Sequence, residues 1–141
     1  MRHLICTALL CLPTSLTAAP LCDMGGADVL PVFEDPKAAF LAGDFQRFGE
    51  VTSALFTNGI AAYGDALDRM AELFPDGFDS CQTVVQRRDL GGMAQEVITF
   101  NTQAHAAPMS VYLLATPIRG EMSITYVNFN TKMIEVLDNL R

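Results

Sequence analysis

The sequence is poor in the residues on which catalysis and metal binding most often depend. It contains no tryptophan, two histidines and four cysteines among its 141 residues. His3, Cys6 and Cys11 lie in a segment that we expect to be removed, which would leave His105 as the single imidazole of the mature chain. His105 lies beside alanines and Pro108, a composition typical of an exposed turn. No metal site is expected, because zinc would need more nitrogen and sulfur ligands than remain.

Positive charge is also scarce. The chain has nine lysines and arginines against sixteen aspartates and glutamates, a formal net charge of −7, and losing Arg2 makes it −8. The largest cationic cluster is the pair Arg87-Arg88. Binding to a phosphate backbone depends on several clustered cations, so no nucleic-acid partner is expected.

The motifs of the common hydrolases and nucleotide-binding enzymes are missing too. The serines at 53, 80, 110 and 123 have no glycine-elbow context, so a catalytic triad is not supported. Gly25-Gly26 and Gly91-Gly92 are too short for a phosphate-binding or dinucleotide-binding loop. We therefore expect no cofactor.

The chain does carry a pattern for export at its start. A short basic start containing Arg2 precedes the apolar run 4–12 and the small residues Thr17-Ala18-Ala19. This layout predicts a signal peptide, residues 1–19, cleaved near Ala19, and a periplasmic or secreted mature protein. A lipoprotein anchor is less favoured, because leucines rather than small residues precede Cys11 and Cys22. No later apolar run is long enough to span a bilayer.

The two cysteines of the mature chain predict a disulfide. Cys22 and Cys81 are an even count in an oxidising compartment, and neither belongs to a CxxC pair that would suggest a metal or redox site. A bridge between them would close a loop of about 60 residues and stabilise the fold by roughly 4 kcal/mol on the chain-entropy model.

The remainder predicts a single domain over residues 35–141, preceded by an irregular lead-in over 20–34. Asp35-Pro36 is expected to open a short helix that ends at Gly43, and Asp44 to cap a second helix. A third helix is predicted by apolar residues at steps of three and four: Phe56, Ile60, Tyr63, Leu67, Met70 and Phe74.

After Asp79 the apolar period changes to two. Strands are predicted over 81–88, 93–104, 109–118 and 122–130, with turns at Leu90-Gly91-Gly92, Ala106-Ala107-Pro108 and Arg119-Gly120-Glu121. Short turns imply an antiparallel meander. Thr131 is expected to cap a short last helix ending at Leu140. The fold class is therefore α+β, with N-terminal helices packed on a four-stranded antiparallel meander.

Apolar residues are also expected on the second face of this sheet. In the last strand, Met122, Ile124 and Tyr126 alternate with Ser123 and Thr125, and Val97, Val127 and Phe129 are assigned to the second face. Either the terminal segments or a partner chain would then cover that face.

The segments 40–45 (FLAGDF) and 55–59 (LFTNG), followed by this sheet, resemble the cystatin-like α+β roll, the superfamily of the nuclear-transport-factor-two-like domains. The resemblance implies a conical pocket between helix and sheet that holds a small apolar ligand or closes on dimer assembly. Carried onto this chain, the ligand-pocket candidates are Tyr63, Phe100, Tyr112 and Tyr126. The Asp/His or Asp/Tyr pair of the catalytic members is not evident.

Two functions remain in competition. The first is a non-enzymatic module that binds a small ligand, a peptide or a protein. The second is a cofactor-free isomerase or hydrolase, which would require Asp65, Asp79 or Glu96 to point inward beside Tyr63 or Tyr112. A homodimer built through the open sheet face is compatible with both.

Overall fold

Three helices, four strands and a final short helix follow one another along the chain. The computed structural model describes residues 21–53 and 63–140. In chain order the elements are α1 (Pro31–Leu41), α2 (Phe45–Ser53), α3 (Gly64–Leu73), β1 (Ser80–Arg88), β2 (Ala94–Thr102), β3 (His105–Ile118), β4 (Glu121–Asn130) and α4 (Met133–Leu137). This order confirms the α+β class, the leading helices, the meander and the short last helix.

The four strands form one antiparallel sheet in the order β1-β2-β3-β4. Successive side chains of a strand point to opposite faces, so the sheet separates two clusters. We call the side packed by α1, α2 and α3 the helix face, where β2 contributes Ile98 and Phe100. We call the other side the distal face, where Val97 and Tyr112 pack against Val136 of α4. The C-terminal segment therefore covers part of the second face, one of the two expected coverings.

The helix face is organised around Phe40 of α1. Its ring contacts those of Phe45, Phe48, Phe78 and Phe100, with centroids 4.7 to 5.4 Å apart. Phe40 is fully buried, and such aromatic contacts add to the free energy gained by removing apolar surface from water.

Two glycines allow the end of α1 to meet the turn after α3. Gly43 and Gly77 both have positive φ, 73° and 71°. A Cβ on Gly77 would lie 2.5 Å from the Leu41 carbonyl oxygen, whereas the Phe78 N–H donates a hydrogen bond to that oxygen at 2.8 Å. Only glycine fits this close approach of two backbones.

The disulfide between Cys22 and Cys81 is present, with Cα atoms 4.7 Å apart and a sequence separation of 59. Together with hydrogen bonds from Asp23 and Asp28, it attaches the segment before α1 to the first strand. Beside it, Asp23 forms a parallel bridge with Gln82 at the outer edge of β1. A buried disulfide indicates folding in an oxidising environment.

Several boundaries differ from the sequence prediction. The last helix ends at Leu137 instead of Leu140, with Lys132 rather than Thr131 at its N-cap, and two larger differences have a clear physical reason. The first helix begins at Pro31, and Pro36 lies inside it. Pro31 occupies the first-turn position that suits proline, so the helix starts five residues before the expected site.

The second difference is the turn expected at Ala106-Ala107-Pro108, which is wrong. The chain turns at Gln103-Ala104, and residues 106–108 belong to β3. The ladder is irregular there, because Thr102 pairs with His105 whereas Phe100 pairs with Met109. Pro108 therefore lies where its missing N–H does not interrupt regular pairing.

An extra residue in β4 reverses its faces. Leu114 pairs with Tyr126 and Ala115 pairs with Ile124, which leaves Thr125 as a bulge. Tyr126 consequently lies on the distal face, opposite to Ile124. The assignment of Val127 and Phe129 to the second face is wrong, since both join the helix-face cluster.

Some predictions lie outside the described residues. These are the signal peptide over 1–19 and the stretch 54–62, which includes the first part of the apolar stripe predicted for the third helix. None of the helices in the described part has the length and hydropathy that crossing a membrane would need.

Candidate functional site

Strand β2 places one polar side chain of 1% exposure or less on each face of the sheet. Gln95 pairs with Leu114 and points to the distal face, whereas Glu96 pairs with Leu113 and points to the helix face. Both are almost fully buried, at 1% and 0% exposure. Buried polar groups need partners, and each of the two has its own set.

The distal face carries a cleft of about 430 Å³. Its lining combines two phenol rings, two apolar side chains and two amides: Tyr112, Tyr126, Leu114, Met93, Gln95 and Asn139. A small apolar pocket with a few fixed polar groups is the usual form of a ligand site.

The two tyrosines form the aromatic wall of this cleft. Their ring centroids are 5.9 Å apart with planes at 62°, an edge-to-face arrangement. The Tyr112 hydroxyl donates to Gln95 Oε1 at 3.0 Å, and the Tyr126 hydroxyl donates to Asn139 Oδ1 at 3.1 Å. Each ring is therefore held at its polar end, and the apolar ring surface is preorganised for contact.

Asn139, two residues after helix α4, completes the lining of the cleft. Val136 is fully buried against the distal face and fixes the helix there. The Asn139 side-chain amide donates to the backbone oxygens of Glu135 and Val136 at 3.1 and 3.0 Å. Asn139 thus caps the C-terminal end of α4 and accepts the hydrogen bond of the Tyr126 hydroxyl.

The phenols of Tyr112 in the cleft and of Tyr63 on the helix face stay protonated well beyond neutral pH. Burial raises the pKa of Tyr112 most, and the nearby Tyr126 phenol raises it further. The positive charge of Arg87 lowers this pKa, and the negative charge of Asp89 raises it. Burial also raises the pKa of Tyr63, again with a smaller contribution from Tyr126. These tyrosines are hydrogen-bond donors and not phenolate bases under ordinary conditions.

An ion pair lies on the helix face. Lys37 of α1 and Glu96 are both fully buried, with Nζ 2.7 Å from Oε2. Lys37 also contacts Glu34 at 2.8 Å, and Gln86 donates to Glu96 Oε1 at 2.7 Å. Oε2 accepts no directed hydrogen bond within the described part, so the attraction at that atom is between the two charges.

The structure brings together two of the four ligand-pocket candidates. Tyr112 and Tyr126 share the distal cleft, whereas Phe100 is buried in the helix-face core. Tyr63 precedes α3 and packs against the edge of that core. The pocket implied by the resemblance lies between helix and sheet, and the cleft with the two tyrosines lies on the other face.

The carboxylates required for catalysis are arranged differently. Asp65 and Asp79 are exposed, and Asp79 accepts a hydrogen bond from the Gln103 N–H. Glu96 points inward, but its polar partners are Lys37 and Gln86 rather than a tyrosine.

His105 is exposed, yet it has contacts. Its ring lies 4.7 Å from that of Phe74, and Nε2 lies 3.2 Å from the Leu73 carbonyl oxygen. Residues 21–53 and 63–140 hold no group of three His, Cys, Asp or Glu side chains placed to bind a metal.

Sequence reasoning missed Lys37, Gln95 and Asn139. Lys37 lies four residues after Phe33 and three before Phe40, so it occupies the apolar stripe of its helix, which is a readable signal for a buried lysine. Gln95 could be assigned to the face of Val97 by alternation. The proximity of Asn139 to Tyr126 has no local signal, because it depends on how α4 folds back.

No family model, curated protein or solved structure matches this chain.

Proposed function

We propose that the protein is an exported, non-enzymatic module that binds a small ligand or a side chain of a peptide or protein partner in the distal cleft. The observation that carries this proposal is the aromatic pair Tyr112–Tyr126, held open by two amide side chains above a buried sheet. Such preorganisation lowers the entropic cost of binding.

The lining defines the kind of ligand that fits. Ring faces and the side chains of Leu114 and Met93 favour an apolar or aromatic group, and the cleft holds roughly the volume of a small molecule. Both tyrosine hydroxyls already donate to neighbouring amides, so their oxygens remain as acceptors. The best ligand is therefore compact, mainly apolar and equipped with a hydrogen-bond donor.

Export and superfamily membership are part of the same proposal. The disulfide and the sequence of residues 1–19 support a periplasmic or secreted location with the leader removed near Ala19. Helices packed on a four-stranded antiparallel sheet are compatible with a cystatin-like roll.

The test combines discovery of the ligand with mapping of the site. Native mass spectrometry of protein purified from its own host should reveal a retained small molecule and the copy number, including a homodimer through the sheet face. Saturation-transfer NMR with small neutral phenols and anilines should then show binding to the cleft.

A matched pair of variants decides the location. Tyr126→Ala should weaken binding at least tenfold, because it removes an exposed wall of the cleft. Met122→Ala is the control, since Met122 lies on the same strand with similar exposure, 39% against 41%, but outside the cleft. Equal binding by both variants would rule out the cleft as the site.

One observation favours the catalytic alternative, a cofactor-free roll-type isomerase or hydrolase with a carboxylate/Tyr pocket. Glu96 is an inward, fully buried carboxylate. If it acts as an acid or base, Glu96→Gln should abolish turnover of a panel of aryl esters and β,γ-unsaturated ketones, while Glu34→Gln should retain it. Absence of turnover by the parent protein leaves the binding function as the better account.

A further inference from the structure

The segment of residues 22–30, which we call the cover, lies over the buried ion pair of the helix face. Met24 is buried, and its sulfur lies 3.7 Å from Lys37 Nζ and 3.4 Å from the Thr83 hydroxyl. A thioether is a weak acceptor, so Met24 shields the ammonium group from water without neutralising it.

A glutamine links the cover to the carboxylate of the pair. Gln86 Nε2 donates both to the Asp28 carbonyl oxygen at 2.6 Å and to Glu96 Oε1 at 2.7 Å. The Asp28 N–H donates to Gln86 Oε1 at 3.1 Å. The position of the cover and the hydration of Glu96 are therefore coupled through one side chain.

Apart from the disulfide, the cover is attached to β1 by hydrogen bonds and by one exposed ion pair, Arg88 with Asp28 at 3.6 Å. It has no helix or strand of its own, and its backbone bonds to β1 are Asp23 N to Cys81 O and Thr83 N to Asp23 O. Gly25 and Gly26 are exposed and have positive φ. Cutting the covalent bond lowers the local concentration of the cover at the sheet, so that these weaker contacts form less often.

The groups beneath the cover favour opening. Burying two opposite charges costs the free energy of their hydration, and their mutual attraction compensates for only part of that cost. Lys37 and Glu96 would regain water once Met24 and Asp28 moved away, and Lys37 would keep its partly exposed neighbour Glu34. The disulfide opposes this hydration by keeping the cover in place.

We propose that the cover is a redox latch: reduction of Cys22–Cys81 releases residues 22–30 from β1 and exposes Lys37 and Glu96 while the rest of the sheet stays folded. The reductant is a dithiol. It gives two electrons and two protons to the sulfurs, which become two thiols, and it is itself oxidised to a disulfide. Both cysteines are buried, so reduction requires transient opening of the cover.

The two lysines of the chain provide an internal comparison. Lys37 is fully buried and Lys132 is 72% exposed at the side chain. The disulfide-bonded and dithiol-reduced proteins are treated briefly with an N-hydroxysuccinimide ester, and labelling is read by peptide mass spectrometry. The expected ratio of Lys37 to Lys132 labelling is below one hundredth before reduction and above one tenth after it.

Hydrogen exchange of β2 and β3 is measured in parallel. Amides of these central strands should keep their protection in the reduced protein. The double variant Cys22→Ser/Cys81→Ser should behave like the reduced protein without any reductant. Gln86→Ala with the disulfide intact should keep Lys37 at its low labelling ratio, because the latch is still closed.

Three results would overturn the proposal. Lys37 staying unlabelled after reduction would show that non-covalent contacts suffice to hold the cover. Lys37 labelled together with loss of protection in β2 and β3 would mean global unfolding rather than a local latch. Labelling of Lys37 in the oxidised Gln86→Ala protein would show that the glutamine, not the disulfide, keeps the cover closed.

Discussion

The buried ion pair yields a quantitative prediction, because Lys37 has two carboxylate partners and Glu96 has one cation. At an effective dielectric constant of about 20, unit charges separated by the 2.7 Å of this pair attract by roughly 6 kcal/mol, offset by the lost hydration of both. Lys37→Met would leave Glu96 buried beside only the neutral Gln86. We expect it to lower the free energy of unfolding by about 4 kcal/mol.

Glu96→Gln should lower the free energy of unfolding by less than Lys37→Met does. The Lys37 ammonium would retain Glu34, whose carboxylate lies 2.8 Å away and is a quarter exposed. We expect a loss of about 2 kcal/mol, and the double variant Lys37→Met/Glu96→Leu should return to within about 1 kcal/mol of the parent, since it removes both buried charges.

The assay is urea unfolding of the disulfide-bonded protein followed by far-ultraviolet circular dichroism, because the chain has no tryptophan for fluorescence. Lys132→Met is the control, since its pair with Glu135 is exposed and should contribute less than about 0.5 kcal/mol. Two results would refute the assigned strength of the ion pair. One is a loss of unfolding free energy in Lys37→Met no larger than in this control, and the other is a double variant less stable than Lys37→Met.

Three further predictions concern other parts of the fold. Gly77→Ala should lower the free energy of unfolding by more than about 2 kcal/mol, because its Cβ meets the Leu41 carbonyl at positive φ. Gly91→Ala, where nothing lies within 4 Å, should change it by less than about 0.5 kcal/mol in the same urea assay. Because burial raises the pKa of Tyr112 above the ordinary tyrosine value of 10.0, the folded state holds its proton more tightly than the unfolded state. Stability should therefore be fully present below pH 10 and fall as pH rises through the folded pKa, and Tyr112→Phe should reduce that alkaline loss in thermal melts. Removing the disulfide by Cys22→Ser/Cys81→Ser should lower the melting temperature, with a loss of roughly 4 kcal/mol from the loop that it closes; an unchanged melting temperature would contradict this estimate.

The fold class was predictable because local periodicity carries it. Apolar residues at helical spacing, followed by alternation with short turns, define helices that precede a meander. The disulfide was predictable from two cysteines that remain after a start whose pattern predicts export. Both are properties of composition and order, and neither requires knowledge of distant contacts.

The candidate site was harder to predict from the sequence, for three physical reasons. Strict alternation places Tyr126 on the helix face together with Ile124. The one-residue bulge at Thr125 moves it to the distal face instead. Pairing of Lys37 with Glu96 joins residues far apart in sequence. The cleft also needs α4 to fold back and bring Asn139 to Tyr126, which depends on tertiary packing of Val136.

The sheet acts as a partition, with the buried ion pair and the disulfide on one side and the aromatic recess on the other. Replacing Tyr126 or Met93 therefore alters what the recess can accommodate without disturbing the phenylalanine cluster around Phe40. Substitutions on the outward side of the pleated layer are therefore the ones that should change the recess while leaving the folding core intact.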